Sequence, residues 1–179
     1  MKPKIKTALL GLAFLCCLLL AYIENTIFFN TLEKVFANPF LSVGMVFAHN
    51  VLVISLILIG MSFYVQIVLN FLPEREIERV IINHPKIFAL VFTGVILLIS
   101  ILRTCMLIYG VVEIERLVLI VLLSSPNGLI EAYGIYLTIK EVLGRTITAK
   151  TLALIYGLFF IAALMEVCFT QLLVKMIQV

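Results

Sequence analysis

What most constrains this chain is a succession of five long apolar runs, broken by only a few ionisable side chains. A helix rising ~1.5 Å per residue needs about 20 apolar residues to cross a bilayer. Runs of about that length lie at residues 7–23 (or 7–29 if Glu24 sits at the membrane edge), 42–71, 87–110, 117–139 and 151–177. In water they could not all be hidden, because a folded exterior needs polar groups facing solvent. With 64% of residues hydrophobic and 13% charged, the surface suits lipid instead. The expected fold is all-α: a polytopic transmembrane helix bundle of five spans. It forms a single integral domain over residues 1–179, multi-pass in the cell membrane.

Basic residues set the expected orientation, since cytoplasmic loops carry an excess of Lys and Arg. With the N-terminus inside, the inner segments hold Lys2, Lys4, Lys6, Arg75, Arg79, Lys86, Lys140, Arg145 and Lys150. The outer segments hold only Lys34, Arg116 and Lys175. Five spans then put the C-terminus outside. Lys2, Lys4 and Lys6 resemble the start of a signal peptide, but Ala21-Tyr22-Ile23-Glu24 offers no small-x-small cleavage site. The first run therefore reads as a retained anchor.

Two linkers are amphipathic. Phe28, Leu32, Val35 and Phe36 share one helical face within residues 27–36, and Ile77, Val80 and Ile81 do so within 74–84. Both are expected to be short interfacial helices. Pro39 and Pro85 stand just before a span, where proline suits a helix start. The second run is long enough to tilt, or to break near Gly60.

The informative residues are those a bilayer rejects. A mid-span charge costs about 2.5–3.5 kcal/mol, so Arg103, Glu131 and Glu166 need partners or water. His49, Asn50 and Asn127 need hydrogen bonds. Counting the rise from each span edge puts His49, Arg103 and Glu166 all ~10 Å below the outer surface. Glu131 falls deeper, toward the inner half. A polar cluster of His49, Asn50, Arg103 and Glu166 is expected, with Arg103 and Glu166 paired, or with Arg103 snorkelling outward on its long stem. It is either a sealed structural pair or a hydrated pathway for a proton or ion.

The fourth run contains Ser124-Ser125-Pro126-Asn127-Gly128, followed by Glu131. Serine before proline resembles a helix N-terminus, with Ser125 as cap and Pro126 in the first position. The fourth span is thus expected to be broken or kinked over residues 124–128, with Glu131 directed into the bundle. Transporters use broken helices to aim half-helix dipoles at a ligand, and a proline kink is the simpler alternative. Gly94, Gly134, Gly144, Gly157, Ala162 and Ala163 are expected at close helix contacts.

Several function classes are excluded or disfavoured. No HExxH, GxSxG, Walker loop or GxGxxG is present, and the absence of Asp rules out proteolysis by paired aspartates. Glu131 and Glu166 have no neighbouring acid or metal-ligand spacing, so no enzyme, metal or cofactor is expected. Cys16, Cys17, Cys105 and Cys168 lie within apolar runs without a CxxC pair. The net charge of +3 is scattered, leaving no basic stripe for nucleic acid.

The stretch Leu123-Ser124-Ser125-Pro126-Asn127-Gly128-Leu129-Ile130-Glu131 resembles the Pro-His-Gly-x-x-Glu signature of the stage II sporulation protein M family. The resemblance includes an Asn early in a preceding span, matched by Asn50 with Gly60 further along. It also includes a late Ala-Ala-Leu-x-Glu run, matched by Ala162-Ala163-Leu164-Met165-Glu166. Together these cover roughly two-thirds of the chain. Asn127 stands in place of the His, and Ala132-Tyr133 follow where the family often has Leu-Pro. The resemblance implies a polytopic membrane protein of a family whose sporulating members help assemble a cell-wall hydrolase complex. That label does not extend to its many relatives in prokaryotes that never sporulate.

The expected function is a non-enzymatic scaffold or assembly component of a membrane complex. Its partners are the lipid bilayer and other membrane proteins or a second copy of itself. The alternative is a small transporter or channel with a polar intramembrane site, working as an oligomer. A sealed ion pair favours the scaffold; a wet cavity favours transport.

Overall fold

The computed structural model describes residues 3–36, 38–71 and 76–177, with side chains described except at 3, 29–36, 76–79, 104, 107–109, 116, 119, 123, 124 and 172–177. Among the described residues six helices follow one another: α1 (Pro3–Phe36), α2 (Pro39–Phe71), α3 (Glu76–Asn83), α4 (Pro85–Tyr109), α5 (Ile114–Leu143) and α6 (Ala149–Ile177). Four stretches among the described residues are long and apolar enough to cross a membrane: Lys4–Phe28, Pro39–Phe71, Pro85–Arg103 and Ala149–Gln171. The protein is therefore a multi-pass, all-helical membrane protein.

The helix starts follow local chemistry. Asn38 caps α2, its side-chain oxygen accepting from the Phe40 and Leu41 backbone N–H groups at 3.1 and 3.4 Å. Pro39 and Pro85 then occupy the first helical turns, where their missing N–H costs nothing. Gly110 ends α4 in the left-handed conformation (φ 72°), its N–H bonded to the Met106 carbonyl. At the α5–α6 turn the Thr146 hydroxyl and then the Lys140 ammonium hydrogen-bond the Glu141 carboxylate, holding it below the ordinary carboxylate range.

Three expectations change. Residues 27–36 do not form a separate interfacial helix but continue α1 to Phe36, with no proline or glycine to stop propagation. The faces expected at Leu32, Val35, Phe36 and Ile77 lie outside the described side chains. α2 is unbroken at Gly60, where an added Cβ would lie 2.8 Å from the Phe14 ring. Gly11 holds Phe63 in the same way, and the two rings stack at 6.3 Å, so α1 and α2 interlock through a reciprocal ring-on-glycine contact.

The third change is in α5, which runs unbroken through residues 124–128. Pro126 has no N–H for the Leu122 carbonyl four residues back. The Ser125 hydroxyl donates to that carbonyl instead, at 3.1 Å. Ser125 therefore repairs the helix where the sequence suggested it would start one. Of the expected small-residue contacts, Gly134, Ala162 and Ala163 are buried, whereas Gly94 and Gly157 face open space.

α2 is the hub, packing against α1, α5 and α6, and α5 stands between α4 and α6. The main core gathers Ile54, Ile139, Leu143, Ile155 and Phe159, all at most 2% exposed. A smaller core of Val46, Ala163 and Val167 lies at the other end. Along α2 the buried residues Val46, Asn50 and Ile54 recur every four positions, so one polar residue lies between the two apolar cores.

Candidate functional site

That intervening layer is polar. His49 Nδ1 meets Glu24 Oε2 of α1 at 2.8 Å, and Phe28 stacks on the imidazole with ring centres 4.9 Å apart. The next residue, Asn50, is buried and donates from Nδ2 to Glu131 Oε1 of α5 at 3.4 Å. Glu166 of α6 lies within electrostatic reach of both Glu131 and His49. Four helices thus contribute three carboxyl groups, one imidazole and one amide. Further along α2, Ser55 hydrogen-bonds the Tyr156 hydroxyl of α6 at 3.2 Å.

The fold brings together His49, Asn50 and Glu166 of the expected cluster, and adds Glu131. It does not place Arg103 there. Arg103 is exposed on α4 and donates to the Asn25 side-chain oxygen of α1 at 3.1 Å. A shared depth did not put Arg103 and Glu166 on the same side, because α5 lies between α4 and α6. Among the described residues no ion pair joins them, and the basic group that Glu166 feels is His49.

Glu131 was expected deeper, from its 14 residues past the start of the fourth run at residue 117, yet Asn50 of α2 reaches it. The rest of the 124–128 motif stands apart: Pro126 is exposed, and Ser125, Asn127 and Gly128 are half-buried. Sequence reasoning missed Glu24 by ending the first apolar run at its edge. The signal was a carboxylate inside a stretch that stays apolar to Phe28, opposite the one histidine of the following span.

A cleft of about 280 Å³ opens between α1 and α2 beside this layer. Leu20, Ile23, Met45 and Leu52 form its apolar walls, and among the described residues Glu24 is its one ionisable lining residue. Side-chain exposures of 21% for Glu24 and 27% for His49 mark this as the open edge of the cluster. No family model, curated protein or solved structure matches the chain.

Proposed function

We propose that this multi-pass protein carries a small cation through the carboxylate cluster, by binding and release without covalent catalysis. The observation that carries the reading is the charge inventory: Glu24, Glu131 and Glu166 stand beside a single imidazole. Among the described residues no Lys or Arg forms an ion pair with Glu131 or Glu166. A charge inside a bilayer costs about 2.5–3.5 kcal/mol, and one retained there marks an ion or proton pathway. Carboxylates in excess of their counter-charges take up protons or cations from water.

In this reading α5 is a fifth span. Residues 117–139 hold Glu131 as their one charge, and that charge faces the bundle. The Gly144 turn then lies on the N-terminal, inner side. A Gly144→Cys variant in intact cells should resist a membrane-impermeant thiol reagent. Labelling there would make α5 re-entrant and the topology wrong. The likeness to the stage II sporulation protein M family belongs to the same proposal, because the matched positions Asn50, Glu131 and Glu166 converge on the site.

A scaffold role is the second reading, favoured by α1. That helix packs chiefly on α2 and leaves Leu12, Leu19 and Tyr22 on an open flank for lipid, another protein or a second copy. Cation flux into liposomes containing the purified protein separates the two. Glu131→Gln and Glu166→Gln should each slow flux about tenfold, equivalent to ~1.4 kcal/mol. Folded protein that leaves the liposomes tight to every cation would overturn transport and leave the scaffold.

A further inference from the structure

We infer that the cation is a proton and that His49 relays it between Glu24, at the open cleft, and the interior carboxyls Glu166 and Glu131. The inference rests on the transport reading above and names its substrate. The arrangement of the donors argues for a proton over a metal ion. Hard cations require several oxygen ligands gathered around one point. Among the described residues no three His, Cys, Asp or Glu side chains converge in that way. The groups are instead strung out in series. Glu24 touches His49 at 2.8 Å, which leaves no room for an ion between them. Glu131 is held separately by Asn50, and Glu166 lies within electrostatic reach of both His49 and Glu131. One direct hydrogen bond, with further carboxyls within electrostatic reach of the imidazole, suits a particle that hops between neighbouring groups.

The cleft is independent of that geometry and points the same way. Glu24 lies 20 residues beyond Lys4 on α1, ~30 Å along the helix and so at the membrane boundary opposite the N-terminus. Its carboxyl lines an opening whose walls are otherwise apolar. A proton reaching Glu24 there needs no hydrated cavity large enough for an ion with its water shell. The charged and titratable groups around His49 are Glu24 on α1, Glu166 on α6 and Glu131 on α5, with Arg103 of α4 anchored at the neighbouring Asn25.

Each step balances. The Glu24 carboxyl gives its proton to His49 Nδ1, leaving a carboxylate and an imidazolium. The imidazolium then gives its Nε2 proton to the Glu166 carboxylate, leaving a neutral ring and a carboxylic acid. The ring is then the Nδ1–H tautomer, and a ring flip that turns its bare Nε2 toward Glu24 readies it for the next proton. Histidine suits this because its ring both accepts and donates protons near neutral pH.

The test uses the full chain in liposomes holding a trapped pH dye, with a potassium diffusion potential as the driving force. Proton influx is expected, unchanged when sodium replaces the other external cations. It should fall about tenfold in both Glu24→Gln and His49→Ala, ~1.4 kcal/mol each. Added imidazole should restore flux in His49→Ala and not in Glu24→Gln, a recovery that a misfolded variant would not show. Sodium or potassium flux without proton flux would overturn this inference and leave the transport reading intact. Proton flux unaltered in His49→Ala would overturn the relay. Absence of any flux would overturn both readings.

Discussion

Gly134→Leu is expected to lower the thermal midpoint of the protein in mild detergent by ~5–10 °C, from an overpacking cost of about 2–3 kcal/mol. A Cβ added at Gly134 would lie 2.6 Å from Phe159 Cε2, with two more ring carbons at 3.2 and 3.3 Å. Phe159 has little room to yield, being 2% exposed and packed in the main core with Ile135, Ile139 and Ile155. The Gly134 carbonyl is held as well, accepting from the fully buried Thr138 hydroxyl at 2.8 Å. Gly94→Leu and Gly157→Leu provide the contrast, since nothing lies within 4 Å of a Cβ at either position. Both should stay within about 0.5 kcal/mol of the parent protein. Pairing Gly134→Leu with Phe159→Ala should cost less than the two changes summed, because the second removes what the first strikes. Strict additivity would show that the α5–α6 contact is not as described.

That contrast marks how far the sequence could be read. Apolar run length and the prolines at 39 and 85 anticipated the long helices, because both act locally and need no knowledge of neighbours. The same local logic misread residues 124–128. Serine before proline is a helix-start signal in isolation, and only the position of the Leu122 carbonyl reveals the serine as a repair. Glycine behaves similarly. Nothing in the chain near Gly134 or Gly157 shows that a phenyl ring of another helix covers the first and open space faces the second.

The candidate site was half legible for a related reason. Helical rise gives depth, and depth brought His49 and Glu166 into one layer. Rotation about the bundle axis is a second coordinate that depth does not contain. Arg103 therefore meets Asn25 of α1, and the expected ion pair gives way to an excess of carboxylates. Membership was missed at Glu24 because one charge next to a long apolar run looks like the run's end. The open cleft beside it is a property of two helices together and has no sequence signature.

The central claim is that the carboxylate layer communicates with water inside a bundle whose outer face meets lipid. Glu131 and Leu129 report on it directly, two residues apart on α5. Glu131 faces Asn50 in the interior, and Leu129 is 71% exposed on the outside. With Cys16, Cys17, Cys105 and Cys168 replaced by alanine, a single cysteine is placed at one position or the other in lipid bilayers. A small charged thiol reagent attacks the thiolate, so it needs water at the sulfur. Placing an ion in hydrocarbon costs about 2.5–3.5 kcal/mol, so Glu131→Cys should react about a hundredfold faster than Leu129→Cys. Equal rates, or a faster reaction at Leu129→Cys, would contradict the account.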